Sequence, residues 1–244
     1  MKKRADIVLF EKDLAESRSK AQAMIMAGQI RVDGKKITKS GTIIDPESEI
    51  LVSNLHSEWV SRGAIKIIHA INFFEINIQD YICLDIGSST GGFTEVLLKK
   101  NAKKIYSVDV GTNQLHEKLK KEKRIISLEN TNARYLSKNI IKEQVDLIVC
   151  DVSFISMKKV LQQCINFLKQ NNGEILGLIK PQFEAQKREI KGGIVKDQNI
   201  HNRICDDFKE WFPKYLNMNV IGLTQSPVKG PKGNIEFFIY AKRN

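Results

Sequence analysis

The sequence predicts an α/β fold: a mostly parallel sheet covered by helices on both faces, with an antiparallel final hairpin, preceded by a small α+β domain. Three observations predict it. Apolar runs of strand length at 81–86, 104–110, 124–128, 145–150 and 174–179 alternate with more polar stretches, and strand and helix alternation marks a parallel sheet with crossover helices. The first of these runs passes through a glycine-rich turn, Gly87-Ser88-Ser89-Thr90-Gly91-Gly92, straight into an amphipathic segment that begins at Phe93. The first fifty-odd residues have a different texture, with short helical patterns followed by β segments punctuated by turns.

Composition bounds the possibilities. A chain of 244 residues allows a single large α/β domain or one large and one small domain. Hydrophobic residues at 42% and charged residues at 27% are ordinary for a globular protein. No apolar stretch approaches the roughly 20 residues that cross a bilayer, which argues against a membrane-spanning role. Met1-Lys2-Lys3-Arg4 mimics the basic start of a signal peptide, but Glu11, Lys12 and Asp13 interrupt the apolar part at once; a cytoplasmic protein is expected. Cys83, Cys150, Cys164 and Cys205 form no C-x-x-C pair, and His116-Glu117 opens no H-E-x-x-H because position 120 is Lys. Neither a disulfide scaffold nor a metal site is indicated. A formal charge of +11 favours a polyanionic partner, with nucleic acid the leading candidate. The run Lys118 to Lys123 reads as a solvated face.

Within the small domain, Asp6 to Leu14 places Ile7, Val8, Leu9 and Leu14 on one helical face. Ser19 to Met26 gives a second helix, ending at Ala27-Gly28 where Gly suits a left-handed cap. Gln29 to Ile37 reads as strand, Asp33-Gly34 turn and strand, and Glu49 to Val52 as a closing strand. Ser53 to Glu58 is a polar connector without periodicity. The expected organisation is a small domain over 1–55, a linker over 56–62 and a large domain over 63–244. Ile65, Ile67, Ile68, Ile71 and Phe74 open the large domain with a helix from whose first turns Lys66 projects. Strands at 219–223 and 236–241 form the final antiparallel pair, and helices are expected after each of the first five strands of the sheet.

The glycine-rich turn discriminates between cofactors. A dinucleotide fold wants G-x-G-x-x-G, whereas here two serines follow the first Gly and a Gly pair comes after. Asp85 sits two residues before Gly87. That set suits S-adenosylmethionine, whose sulfonium and amino groups are cationic and which has no pyrophosphate. Asp109, closing the next strand, is placed to accept hydrogen bonds from ribose hydroxyls. Asp151 and Lys180 end two later strands, and strand C-termini line the ligand crevice of an open α/β sheet. Lys66 and Glu236 enter from the first helix and the final hairpin.

Two resemblances rest on these residues. The segment "LAESRSKAQAMIMAGQIRVDGKKITKSGTIID" resembles the alpha-L RNA-binding module, which implies an RNA-facing basic surface carried here by Arg18, Lys20, Arg31, Lys35 and Lys36. The ordered set Lys66, Asp151, Lys180 and Glu236 around such a donor loop resembles the FtsJ-like ribose methyltransferases. The strings "SRGAIK", "LDIGSSTGGFTEVLL", "VDVG", "CDVSFIS", "LIKPQFE", "GGIV" and "SPVKGPKGNIEFF" are similar more narrowly to the TlyA family, over almost the whole chain.

The likeness implies a Rossmann-like methyltransferase sheet. It assigns Asp85, Gly87, Ser88, Gly91, Gly92 and Phe93 to the methionine and loop side of S-adenosylmethionine, Asp109 to the ribose, and Asn132 to the neighbourhood of the adenine. It implies methylation of a cytidine 2′-hydroxyl in ribosomal RNA, with the large subunit expected because the chain ends soon after its last strand, as shorter members do. Such chemistry asks for a base on a weak nucleophile. Lys180 is the candidate, its neutral amine favoured by partial burial and by the Lys66 charge. Asp151 would hold Lys180 and the donor end in register, and Glu236 would orient Lys66 or the ribose. Two other classes stay open: a non-catalytic ribosome-binding or assembly factor that retains the donor pocket, and a cytolysin, since some family members are labelled hemolysins. Against lysis stand the missing apolar span and the lack of a strong cationic amphipathic helix. The modified nucleotide, the state of the RNA substrate and the oligomeric state are open.

Overall fold

The computed structural model of the chain describes residues 2–15, 17–26, 28–52 and 59–243. The chain divides into two compact units between Glu58 and Trp59. The polar connector at 53–58, and with it residues 56–58 of the expected linker, lies outside the described residues. Trp59 and Val60 pack against the core of the second unit.

In the first unit, β1 (Lys3–Arg4) leads into α1 (Ala5–Glu11), followed by α2 (Arg18–Met26), β2 (Ile30–Val32), β3 (Lys35–Ile37), β4 (Ile43–Ile44) and β5 (Ile50–Val52). β2 lies between β3 and β5, antiparallel to both. Asp33 and Gly34, both at positive φ, make the two-residue turn whose twist matches a hairpin. Gly28 at φ 70 ends α2, its N–H donating to Ile25 O while Gln29 N donates to Met24 O. The β1–β4 pair escapes sequence analysis because two-residue strands carry no period. Val8, Leu9, Ala21, Ile25 and Ile30 form the core. Asp6, buried beside it, takes hydrogen bonds from Arg4 and Gln22. The Arg4 bond is the largest influence, holding this carboxyl well below the usual range against the opposing effect of burial.

The second unit runs α3 (Gly63–Phe73), β6 (Ile82–Ile86), α4 (Gly92–Lys99), β7 (Lys104–Val108), α5 (Glu117–Lys120), β8 (Ile125–Leu128), β9 (Leu147–Cys150), α6 (Met157–Cys164), β10 (Glu174–Ile179), α7 (Pro181–Glu184), α8 (Gln198–Trp211), β11 (Asn219–Gln225) and β12 (Phe237–Lys242). Its sheet has the order β11-β12-β10-β9-β6-β7-β8. β12 is antiparallel to both neighbours and every other adjacent pair is parallel. Alternate strand residues feed two cores. Leu84, Tyr106, Ile148 and Ile239 face α6 and α8, while Cys83, Ile105, Val149 and Tyr240 face α3 and α4.

The helix expected after β8 is absent. A single 3₁₀ turn, Ala133–Tyr135, stands there, capped by Asn132. Ala133, Leu136 and Ile141 still reach the core, but the Asn132 side chain accepts from Arg134 N and offers the backbone a turn instead of a longer helix. The winding starts at β6, runs outward to β8 and returns to β9 beside β6, so the crevice opens at the C-terminal ends of β6 and β9.

Candidate active site

Asp85 is the last but one residue of β6, and strand alternation turns it toward α4. It is fully buried. Its Oδ2 accepts from Thr94 Oγ1 at 2.6 Å, and Thr94 Oγ1 lies 2.7 Å from Ser107 Oγ. Oδ1 has no protein partner. Burial pushes this carboxyl up to about 7, against the Thr94 bond, with Asp151 and Asp109 adding to the rise.

The turn after β6 is built by close approach. Gly87 has φ 82, and a Cβ placed there would stand 2.4 Å from the carbonyl oxygen of Asp151. Gly91, at φ 97, caps α4 where a Cβ would meet Leu119 at 2.3 Å. Gly92 begins α4, Ser88 is buried, and Phe93 packs with its ring centroid 6.1 Å from that of Phe238. Asp109 ties the next strand to this turn, its Oδ2 accepting from Ser89 N and its Oδ1 from Gly111 N, both at 2.8 Å.

Two cavities meet here. The first, of about 330 Å³, is lined by Gly87, Asp109, Asn132 and Asp151, with Val108, Val152 and Ile155 giving apolar walls. The second, of about 290 Å³, is lined by Arg62, Lys66, Ser88, Phe93, Asp151 and Lys180. They share Gly87, Ser89 and Asp151.

The four charged residues form two ion pairs. Lys66 Nζ donates to Glu236 Oε2 at 2.6 Å, and Glu236, fully buried, accepts on Oε1 from Gln182 Nε2 at 3.3 Å. Lys180 Nζ stands 2.5 Å from Asp151 Oδ1, a charge contact without hydrogen-bond angles, and donates to Ser153 Oγ at 3.0 Å. Lys66, Asp151 and Lys180 line one cavity, while Glu236 lies behind Lys66. One expectation therefore needs correcting. The Lys66 charge, expected to act on Lys180, is balanced by Glu236; the pairing of Glu236 with Lys66 and of Asp151 with Lys180 is the one the likeness implies.

Sequence analysis missed three residues beside this site. Ser153 and Gln182 bind members of the two ion pairs. Phe154 is 91% exposed on the rim of the first cavity at φ 65, a region costly for an aromatic residue, with its ring 5.1 Å from Phe183. The strings "CDVSFIS" and "LIKPQFE", directly after two strand ends, held the signal.

In the first unit, Arg18, Lys20, Arg31, Lys35 and Lys36 are all exposed. Arg18 lies 3.6 Å from Asp6, and Arg31 donates to Gly34 O. Arg31 and Lys36 sit directly across the β2–β3 ladder from each other. Among the described residues no group of three or more His, Cys, Asp or Glu could hold a metal ion, and no helix is long and apolar enough to cross a membrane.

Comparison with known proteins places this geometry. Residues 59–243 match the FtsJ-like methyltransferase family and residues 3–50 match the S4 domain. Hemolysin A of Brachyspira hyodysenteriae is 41% identical over 243 residues, covering 97% of this chain and 98% of that protein. The 16S/23S rRNA (cytidine-2'-O)-methyltransferase TlyA of Mycobacterium tuberculosis is 38% identical over 241 residues, covering 98% of this chain and 89% of that protein. A solved structure of a hemolysin-designated protein from Streptococcus thermophilus superposes with a TM-score of 0.78 at 36% identity, covering 100% of this chain and 89% of that one. The chain thus belongs to the FtsJ-like methyltransferase family, in the branch that carries an S4 domain ahead of the methyltransferase fold and includes the TlyA proteins.

Proposed function

We infer that the protein is a cytoplasmic enzyme that moves a methyl group from S-adenosylmethionine to the 2′-hydroxyl of a cytidine in ribosomal RNA, with large-subunit RNA as the expected target. One observation carries this reading: a largely apolar cleft lined by Asp109 and Asn132 shares Gly87, Ser89 and Asp151 with a cavity lined by Lys66 and Lys180.

The residues present fit the donor. Asp85 Oδ1 is buried without a partner beside the turn, which suits a cationic amino group. Gly87, with no Cβ to fill the cleft, lets backbone approach the ligand. Asp109 is oriented by two backbone N–H groups and has lone pairs left for ribose hydroxyls. Asn132, Val108, Val152 and Ile155 suit a purine. When bound, the donor supplies an electrophilic methyl carbon on a sulfonium.

The chain's own residues do the rest. Lys180 meets the ribose hydroxyl, and its amine takes the hydroxyl proton to become an ammonium held by the Asp151 carboxylate as the oxygen bonds the methyl carbon and the donor's carbon–sulfur bond breaks. Ser153 keeps the Lys180 amino group in place. Lys66, fixed by Glu236, which in turn accepts from Gln182, positions the ribose or an adjoining phosphate. Much of the rate then comes from alignment, which can supply roughly 7 to 11 kcal/mol. The exposed ring of Phe154 offers a face on which the target base can stack.

The first unit, over residues 1–55 in this reading, captures the RNA. Like charges directly opposite on a ladder are unfavourable, so the Arg31–Lys36 pair is best accounted for by a polyanion that meets both. Ribose-methylation mapping of 16S and 23S ribosomal RNA, from ribosomal subunits incubated with protein and donor, tests the function. A new 2′-O-methylcytidine in 23S RNA is expected; no new ribose methyl on either RNA would sink the reading.

A further inference from the structure

Two loops beside the cavity of Lys66 and Lys180 are bound into one body. The loop 226–234 contributes Val228, Lys229, Gly230 and Pro231 to the cavity wall. The loop 185–197 joins α7 to α8. Asn234, buried between them, donates to Gly193 O at 2.9 Å and accepts from Val195 N at 3.1 Å, and Lys232 Nζ donates to Gly192 O at 3.2 Å.

The charge on this body is unbalanced. Lys187, Arg188, Lys191 and Lys196 are exposed, and the loop's two acids are committed elsewhere. Glu189 pairs with Arg203 at 2.7 Å and accepts from Gln186 N at 2.8 Å, while Asp197 caps α8 by accepting from Asn199 N at 2.8 Å. No acidic group lies within ion-pair distance of any of the four cations among the described residues. Lys229 is likewise exposed and without an acidic partner. Between Arg188, Lys191 and Lys196 runs a groove of about 480 Å³ whose other walls are Ile194, Ile200 and the two acids, Glu189 and Asp197, already engaged by Arg203 and by the start of α8. Cations over an apolar floor match the alternation of phosphate with sugar and base along a nucleic acid strand.

We propose that loops 185–197 and 226–234 form a second RNA-backbone surface, on the catalytic unit itself, that holds the strand leading from the target ribose. The proposal rests on the RNA-methylation reading above and adds the path of the strand. Lys229 meets the backbone at the cavity wall, and Arg188, Lys191 and Lys196 meet successive phosphates along the groove. Each phosphate neutralised releases condensed counterions, so the contact is visible in the salt dependence of binding.

The test compares the full chain with its R188A/K191A/K196A variant, binding a fluorescein-labelled oligoribonucleotide across a KCl series. Affinity at about 0.1 M salt is expected to fall by roughly tenfold, and the slope of log affinity against log salt to flatten by about 2, at about 0.7 per lost cation for single strands. Calorimetry with S-adenosylmethionine should match the unsubstituted protein, showing an intact fold. An unchanged slope overturns the proposal. So does retained RNA binding with loss of binding to phosphatidylglycerol vesicles, which would make the surface a lipid contact. If the triple variant fails to fold, Lys191→Glu, at an exposed loop position, supports the same measurement. Absence of ribosomal methylation by the unsubstituted protein would refute the function while leaving the slope to decide the surface.

Discussion

Lys180 and Asp85 carry different burdens. In the proposed mechanism Lys180 takes the hydroxyl proton, so Lys180→Ala is expected to cut methyl transfer by about 10² to 10⁴-fold, as loss of a general base does, while calorimetric donor affinity changes little. Turnover at the unsubstituted rate would remove Lys180 from the chemistry. Asp85 gives a pH signature. Its folded-state value, raised by burial to about 7 from 3.8, means that its contribution to stability is full below about pH 4 and is lost as pH rises through about 7. Donor affinity should move the opposite way, since an amino group prefers the ionised carboxylate. From about pH 6 to about pH 8 donor binding is expected to tighten in the unsubstituted protein and to stay flat in Asp85→Asn; parallel profiles would refute the role. The sequence singles out both residues by position, Asp85 last but one in the apolar run of β6 and Lys180 directly after that of β10. It does not single out Phe154, since nothing in composition marks an aromatic residue held at positive φ.

At the scale of elements, the turn between β6 and α4 concentrates the constraint. Gly87→Ala would drive a Cβ to 2.4 Å from the Asp151 carbonyl oxygen at a φ of 82. We expect loss of donor binding and a drop in stability of about 1 to 3 kcal/mol, read by thermal melting with and without S-adenosylmethionine. A melt and an affinity like those of the unsubstituted protein would show that the turn can shift. Strands were legible where apolar runs are buried on both faces, and α4 where a helical stripe follows the glycines. Strand and helix alternation predicts a helix between β8 and β9, but side chains in that stretch favour local turns, as Asn132 does by accepting from Arg134 N.

For the molecule as a whole, two units with separate cores imply separable tasks. Removing residues 1–58 is expected to leave donor affinity intact and to raise KM for ribosomal subunits by roughly tenfold or more, at the level of several lost phosphate contacts; an unchanged KM would deny the first unit its docking role. Glu236→Ala belongs at this scale, since it breaks a bond between residues 170 positions apart. Stranding a buried ammonium costs about 3 to 5 kcal/mol, and chemical denaturation of Glu236→Ala against Glu236→Gln should show the larger loss for alanine. The two-domain organisation was legible in the change of texture near residue 55. The pairing of Lys66 with Glu236, by contrast, was legible only through the family likeness, because it depends on β12 entering the sheet between β10 and β11, which no local pattern announces.

That late insertion has a temporal consequence. A nascent polypeptide from which residues 236–242 have not yet emerged lacks an interior strand of its own sheet and the carboxylate that restrains its first amine. Competence therefore waits on the emergence of that segment, and a product truncated ahead of it would be born inert.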